Sequence, residues 1–339
     1  MKILVTGGAG FIGSNFIHYM HRVHPEYDLV NLDKLTYAGN LENLKDLENS
    51  PHYQFIQGDI TDRDLVFSLV KEVDAVVHFA AETHVDRSIL EADNFVKTNI
   101  LGTLVLLDAV KKYQKRFHHI STDEVFGSLG PYDQPFNEET PYNPKNPYSA
   151  SKASSDHLVR SYIYTHKIPA TISNCSNNYG PYQFPEKLIP LFISKLKKEE
   201  KVPVYGDGQQ IRDWIHVDDH SRGIDLILHR GRLGETYCLG GNCEITNLEL
   251  IKGLITLMGK NEDLIEYVTD RPGHDRRYAI DYSKARNELG WEPRIKIENG
   301  LQKTIDWYLK NQEWIENCQN GDYQKYYQDN YSHKIKKII

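Results

Sequence analysis

Short apolar runs alternate with amphipathic stretches through the first half of the chain. The apolar runs are typical of buried strands and cover residues 3–6, 29–32, 75–79, 117–121 and 170–175. Stretches with helical spacing lie among them, at 14–23, 94–112 and 148–166. This alternation predicts an α/β fold with a Rossmann-type doubly wound parallel sheet, covered by helices on both faces.

A glycine-rich turn joins the first predicted strand to the first predicted helix. Residues 7–13 read Gly-Gly-Ala-Gly-Phe-Ile-Gly, which gives the spacing G-x-G-x-x-G from Gly8. This strand, turn and helix context is typical of a dinucleotide-binding site. The second apolar run ends at Asp33, 20 residues after Gly13, where an acid binds the adenosine ribose hydroxyls. Because that acid would repel a 2′-phosphate, the sequence predicts NAD rather than NADP.

The alternation of strands and helices ends near residue 176. Proline, glycine and charged residues become more frequent there, and a helix at 187–198 lies between irregular stretches. We therefore predict an NAD-binding Rossmann domain at 1–176. A smaller α/β substrate-binding domain follows at 177–339, from which segments can return to the first domain. Ligands bind outside the carboxyl ends of parallel strands, so the second domain is expected to cap that edge.

Composition narrows the range of partners. The 339 residues carry a net charge of −7 with scattered Lys and Arg, which argues against nucleic acid. The chain enters its first strand at once and contains no long apolar span, which favours a cytoplasmic protein that makes no use of a membrane. The 4 cysteines and 15 histidines show no metal or redox spacing, so we expect free thiols and no metal site.

Two further motifs carry chemistry. Tyr148 and Lys152 share one face of a predicted helix, and a nearby ammonium and a positive nicotinamide would lower the pKa of the tyrosine from about 10. The triplet Thr122-Asp123-Glu124 closes the strand at 117–121. Alcohol oxidation has no need of two extra carboxylates, whereas elimination of water needs a base and an acid. A surface Tyr/Lys pair and a solvated acidic loop remain open from these residues alone.

Together these motifs resemble those of the dTDP-glucose 4,6-dehydratases, a family of extended short-chain dehydrogenase/reductases. The resemblance covers nearly the whole chain. The glycine turn and the Tyr/Lys pair identify only the superfamily, whereas the triplet and the block that begins at Asn177 are narrower. The blocks that carry it are 7–13, 33–40, 78–88, 122–124, 148–152, 177–188, 211–219 and 270–275.

The resemblance implies conversion of dTDP-glucose to dTDP-4-keto-6-deoxyglucose and water, a hydro-lyase reaction of rhamnose-type deoxysugar biosynthesis. In that family Tyr148 and Lys152 serve oxidation at C4, and Thr122 binds the 4-hydroxyl. Glu124 takes the C5 proton and Asp123 protonates the departing 6-hydroxyl. The hydride then returns to C6, so NAD is regenerated in each turnover and is expected to stay tightly bound.

The resemblance also implies two sets of binding residues and a homodimer formed by the helices at 94–112 and 148–166. Asn99 is expected to brace the core near the site. The cofactor set is Gly7, Gly10, Phe11, Ile12, Gly13, Asp33, Lys34, Leu35, Thr36, Asp59, Ile60, Ala80, Ala81, Glu82, Thr98, Tyr148, Lys152 and Asn178. The substrate set is His84, Thr122, Asn177, Lys187, Leu188, Pro203, Tyr205, Arg212, Asn247, Arg271 and His274.

Three positions depart from the family pattern, and two other functions compete. Asn174 replaces an expected arginine, Thr83 a serine and Phe126 a tyrosine. A nucleotide-sugar 4-epimerase, or another NAD-dependent nucleotide-sugar dehydratase, is one alternative, but an epimerase has no use for the Asp-Glu pair. A non-catalytic NAD-sensing regulator is another, and it would be expected to lack the Tyr/Lys pair.

Overall fold

The computed structural model describes residues 1–270 and 275–318. Their strands, in chain order, are β1 (Lys2–Thr6), β2 (Asp28–Asp33), β3 (Tyr53–Gln57), β4 (Ala75–His78), β5 (Arg116–Thr122), β6 (Ala170–Cys175), β7 (Asn177–Tyr179), β8 (Val202–Tyr205), β9 (Ile211–His216), β10 (Thr236–Leu239), β11 (Glu244–Thr246) and β12 (Ile265–Val268).

Helices account for most of the remaining chain. The α-helices are α1 (Phe11–Val23), α2 (Arg63–Lys71), α3 (Val85–Leu90), α4 (Ala92–Phe95), α5 (Thr103–Tyr113), α6 (Pro147–His166), α7 (Leu188–Lys197), α8 (Val217–Arg230), α9 (Asn247–Leu257), α10 (Ser283–Leu289), α11 (Ile297–Lys310) and α12 (Gln312–Cys318). Short 3₁₀ segments lie at Leu41–Leu47, Asp123–Phe126 and Glu262–Leu264, and a π-helical segment lies at Val96–Gly102.

Seven of the strands form one sheet in the order β10-β6-β5-β4-β1-β2-β3. Every neighbouring pair within it is parallel. The chain moves outward from β1 in one direction and from β4 in the other, so the strand order reverses between these two strands. This arrangement confirms the predicted doubly wound α/β fold and places the switch point where ligands bind in such sheets.

Alternate residues of β1 pack into different cores, because successive side chains of a strand point to opposite faces. Leu4 joins the apolar cluster beneath α2, α5 and α6. Ile3 and Val5 join the cluster beneath α1 and α8. Burial on both faces explains why the central strands are continuous apolar runs rather than alternating patterns.

The predicted helix at 94–112 is divided by the π-helical segment Val96–Gly102. This wider turn packs closely against the loop that follows β3, since a Cβ on Gly102 would lie 2.4 Å from Ile60 Cδ1. Asn99 is 1% exposed, and its amide bonds both the backbone of Glu82 and the hydroxyl of Ser151. The sequence predicted one regular helix, because apolar spacing does not register a single extra residue in a turn.

A second unit stands above the carboxyl ends of the strands. It contains a three-stranded sheet, β11-β9-β7, and a parallel pair, β12-β8. Helices α7, α9, α11 and α12 pack with these strands around one apolar core.

The domain boundary at 176 stays a prediction, although β10 joins β6 at the edge of the first sheet. No helix in the described ranges is both long and apolar enough to cross a membrane.

Candidate active site

The glycine turn is fixed by close backbone approaches at Gly7 and Gly13. Gly7 has a φ of 73°, and a Cβ there would lie 2.6 Å from the backbone of Ala80. A Cβ on Gly13 would lie 2.3 Å from the carbonyl oxygen of Gly7. Gly10 differs, because a Cβ there would meet nothing nearer than 3.4 Å, and the residue lines a cavity. Gly10 also begins α1 without a side-chain cap, so the helix N-terminus is available to a phosphate.

Asp33 lies beside this turn at the end of β2. Its carboxylate accepts hydrogen bonds from the amides of Ala9, at 2.9 Å, and Leu35, at 2.8 Å. Burial raises the pKa of Asp33, while the two amides oppose that rise. Each carboxylate oxygen has a further lone pair, so Asp33 can hold the turn and still accept from ribose hydroxyls.

A cavity of about 340 Å³ extends from this turn across the ends of the strands. It brings together the predicted cofactor residues except Leu35, whose amide is directed to Asp33 instead. The predicted residues on its walls are Gly7, Gly10, Phe11, Ile12, Gly13, Asp33, Lys34, Thr36, Asp59, Ile60, Ala80, Ala81, Glu82, Thr98, Tyr148, Lys152 and Asn178.

The triplet Thr122-Asp123-Glu124 occupies a short turn at the end of β5. Thr122 caps the 3₁₀ segment, since its Oγ1 accepts from the amide of Glu124 at 3.3 Å and donates to Asp123 Oδ1 at 3.3 Å. Gly127 ends the segment with a φ of 94°, where a Cβ would meet the carbonyl of Asn143 at 2.7 Å. The sequence therefore turns both carboxylates toward the cavity that also holds Tyr148 and Lys152.

Asp123 is held in its protonated form more strongly than an ordinary aspartate. The residue is 2% exposed, and burial raises its pKa well above the usual value. The neighbouring carboxylates of Glu124 and Asp213 raise the pKa further, and Arg212 partly opposes them. A carboxyl group that retains its proton is suited to donate it to a leaving group.

Tyr148 and Lys152 lie one turn apart on α6, and both are buried. The pKa of Tyr148 is raised well above its usual value, chiefly by burial and by the Glu124 carboxylate, while a hydrogen bond from Thr122 opposes the rise. Lys152 Nζ donates to the carbonyl of Ile120 at 2.7 Å. With the protein groups alone, burial is the largest influence on this pKa. The expected lowering by the ammonium together with a positive nicotinamide stays a prediction.

A second cavity of about 490 Å³ continues from the first into the upper unit. Glu124 lines both cavities, so the carboxylate stands at their junction. Thr122 lines only the first cavity, and Arg271 and His274 lie outside the described residues. The remaining predicted substrate residues line the second: His84, Asn177, Lys187, Leu188, Pro203, Tyr205, Arg212 and Asn247.

The three departures from the family pattern have local explanations. Asn174 on β6 donates to the carbonyl of Thr122 at 2.9 Å and so supports the turn that carries the triplet. Thr83 hydrogen-bonds the hydroxyl of Tyr37. Phe126 is buried in an apolar cluster and stacks on Phe136, with ring centroids 5.1 Å apart.

Sequence reasoning missed a group of residues at the junction of the cavities. Glu186 lines both, and its carboxylate faces His84 Nε2 at 3.4 Å and Arg87 Nη2 at 3.7 Å. The Arg87 guanidinium lies 3.7 Å from the ring centroid of Tyr37, in a cation–π contact. Glu186 belongs to a block that carries the resemblance, but only its place in the fold separates it from a surface glutamate.

One group among the described residues could hold a metal ion, although the sequence predicts none. His24, Asp225 and His229 converge at the ends of α1 and α8. Asp225 Oδ1 lies 3.0 Å from His24 Nε2 and 2.9 Å from His229 Nδ1, so hydrogen bonds account for the contact. The three residues line neither cavity.

The fold and these motifs define a class of protein. A glycine turn at the switch point, an acid at the end of β2 and a Tyr-x-x-x-Lys pair beside β5 define a short-chain dehydrogenase/reductase. The unit over the strand ends indicates the extended form. The family model described as GDP-mannose 4,6 dehydratase matches residues 4–304.

Curated relatives and solved structures narrow the class. A dTDP-glucose 4,6-dehydratase from Xanthomonas campestris is 52% identical, covering 94% of this chain and 96% of that protein. The crystal structure of one from Bacillus anthracis, in complex with NAD, is 50% identical, with a TM-score of 0.88 over 94% of this chain and 99% of that one. One from Streptomyces venezuelae, also with NAD, is 46% identical, with a TM-score of 0.91 over 94% and 100%. This chain belongs to the dTDP-glucose 4,6-dehydratase family, which confirms the resemblance.

Proposed function

We propose that this protein is an NAD-dependent hydro-lyase that converts dTDP-glucose to dTDP-4-keto-6-deoxyglucose and water. One observation carries the proposal most directly. The same cavity wall holds an oxidation pair, Tyr148 and Lys152, and an elimination pair, Asp123 and Glu124. An epimerase that only oxidises and reduces C4 needs the first pair and not the second.

The first half of the reaction is oxidation at C4. Bound NAD supplies a hydride acceptor for the C4 hydrogen and later returns that hydride to C6. Tyr148 accepts the proton of the 4-hydroxyl, which Thr122 holds in place. Because burial and Glu124 raise the pKa of Tyr148, the phenolate needs added positive charge, which the ammonium of Lys152 and oxidised nicotinamide both offer.

The second half is the loss of water across C5 and C6. A ketone at C4 makes the neighbouring C5 hydrogen acidic, and Glu124 removes it. Asp123, which retains its proton, donates it to the departing 6-hydroxyl so that water leaves. After the hydride has reached C6, a proton returns to C5 and completes the 4-keto-6-deoxy sugar.

The second cavity has the chemistry of a nucleoside diphosphate site. Lys187 and Arg212 supply positive charge for a diphosphate. Pro203 and Tyr205, on β8, offer an apolar edge and a ring for the base. The proposal extends to a role in deoxysugar biosynthesis in the cytoplasm.

A homodimer is also proposed. The π-helical segment and the helices beside it expose large apolar side chains to solvent, which a soluble monomer rarely gathers in one region. Their exposed fractions are 61% for Ile89, 65% for Leu90, 46% for Val96 and 49% for Leu101. Paired helices from two subunits would cover them.

Incubation with dTDP-glucose tests the proposal. A 4-keto-6-deoxy product, identified by mass and NMR spectroscopy, is expected without net consumption of NAD. Formation of dTDP-galactose would instead establish a 4-epimerase. Binding of NAD with no sugar product would favour a regulator. UDP-glucose in a parallel reaction measures the preference for the nucleoside.

A further inference from the structure

A buried carboxylate lies where the two cavities meet and lacks a close hydrogen-bond donor. The side chain of Glu186 is 2% exposed. Within residues 1–270 and 275–318, neither of its oxygens accepts a hydrogen bond. The nearest cationic nitrogens, on His84 and Arg87, stand at 3.4 and 3.7 Å, beyond the roughly 2.7–2.9 Å of a charge-assisted hydrogen bond. Buried polar groups in native proteins rarely remain in this state, so the site has capacity for a donor.

The basic groups near Glu186 partly offset the effect of its burial and leave its lone pairs available. His84 Nδ1 accepts from the amide of Arg87, so the ring proton is assigned to Nε2, which faces Glu186. Burial raises the pKa of Glu186, and the charges of Lys187 and Arg87 oppose that rise. A carboxylate set among basic groups accepts strongly from a neutral donor such as a hydroxyl.

The position of Glu186 relative to the catalytic groups selects which hydroxyls it meets. With the proposed reaction, the 4-hydroxyl lies against Thr122 and Tyr148, and C5 and C6 lie against Glu124 and Asp123. C1 carries the diphosphate toward the second cavity. The hydroxyls on C2 and C3 are the sugar donors that remain. Among the described residues, Glu186 is the acidic side chain at the junction that the proposed mechanism leaves unused.

We propose that Glu186 determines sugar specificity by accepting hydrogen bonds from the C2 or C3 hydroxyl of the hexose. This inference rests on the proposed function and adds to it the recognition of the sugar ring. A pocket with a buried acceptor discriminates strongly against an analogue that lacks the matching hydroxyl, because the acceptor is then left unpaired.

The test compares wild type and Glu186→Gln with dTDP-glucose and its 2-deoxy and 3-deoxy analogues. The wild-type kcat/KM is expected to fall roughly 10–100-fold for at least one analogue, as for loss of a hydrogen bond to a charged group. Glu186→Gln should lose a similar factor with dTDP-glucose and discriminate little against that analogue. Two results would overturn the inference. One is that wild type converts both analogues with the same kcat/KM as dTDP-glucose, and the other is that the variant discriminates against the analogue as strongly as wild type does.

Glu138→Gln is a matched control. Glu138 is a largely buried carboxylate that accepts from the amide of Cys238 at 2.7 Å and lines neither cavity. Its substitution should lower the melting temperature without changing the ratio of kcat/KM between sugars. Failure of wild type to convert dTDP-glucose would overturn the proposed function together with this inference. Conversion with an unchanged ratio in Glu186→Gln would overturn this inference alone.

Discussion

At the residue scale, Asp123 and Glu124 are the same kind of group in different surroundings. Asp123 is 2% exposed and lies near two further carboxylates. Burial and these two negative charges raise its pKa, so the group retains its proton. Glu124 borders both cavities, and its Oε2 accepts a hydrogen bond from the side-chain Nδ2 of Asn146 at 3.4 Å. Adjacent acids whose environments differ in this way can divide into an acid and a base.

Glu124→Gln should separate oxidation from dehydration. The base for C5 is removed, while Tyr148 and Lys152 remain. Loss of the Glu124 charge also lowers the pKa of Tyr148, so oxidation at C4 should persist. Reduced nicotinamide should accumulate in a single turnover with little deoxy product, a loss of about 10²–10⁴-fold in dehydration. Formation of product at the wild-type rate would contradict this division of roles.

Deuterium at C4 of the substrate provides an independent check of the wild-type sequence of steps. The label should appear at C6 of the product, because the same hydride leaves C4 and returns to C6. Label lost to solvent would show that the hydride is not conserved within one turnover.

Asp123 should set an alkaline limit on dehydration. The proposed mechanism requires its acid form, and its pKa is raised, so the rate should be maintained beyond the range of an ordinary aspartate and fall as pH rises through that pKa. Asp123→Asn cannot donate a proton, so dehydration should slow about 10²–10⁴-fold. The fall in rate at high pH should also disappear. Single-turnover product formation measured against pH checks both. A variant with the same alkaline limb would assign it to another group.

At the element scale, two glycines of one turn have opposite constraints. Gly13 is confined by the protein, because a Cβ there would lie 2.3 Å from the Gly7 carbonyl oxygen, whereas Gly10 faces the cavity. Gly13→Ala should therefore destabilise the fold by about 1–3 kcal/mol, as overpacking does. Gly10→Ala should melt near wild type but bind NAD more weakly. Thermal melting and NAD titration distinguish the two, and equal NAD affinity in Gly10→Ala and wild type would contradict a phosphate contact there.

The sequence predicts those elements whose pattern is local. Residues 3–6 of β1 and all of β4 are buried runs, and the glycine turn has a fixed spacing. The edge strand β3 was not predicted, because its residues are half-buried and form no continuous apolar run. The sequence allowed for segments that return to the first domain but did not identify β10 as one, because periodicity identifies a strand without identifying its neighbour.

The site shows the same division between local pattern and fold. Motif spacing predicted that Tyr148, Lys152 and the triplet at 122–124 form one group, and they line one cavity. The raised pKa of Tyr148 and the place of Glu186 depend on burial by segments distant in sequence. Neither property can be predicted from the residues that are adjacent in sequence.

At the scale of the whole molecule, the proposed dimer depends on the outer face of the π-helical segment and its neighbours. Leu101→Glu would bury a charge between subunits and should give a monomer. Leu309→Glu on α11, where the leucine is 42% exposed, is a matched control outside that face and should remain dimeric. Light scattering measures both masses. A dimeric Leu101→Glu protein would place the subunit contact elsewhere.

The π-helical segment links the proposed dimer interface to the candidate active site. Asn99 faces inward to Glu82 and Ser151, and Leu101, two residues later, faces outward. One seven-residue π-helical segment thus contacts residues beside the first cavity and also contributes to the proposed subunit interface. Dilution below the dissociation constant would loosen both together, so specific activity should rise with enzyme concentration. The amount of protein a cell makes would then tune how well each copy works.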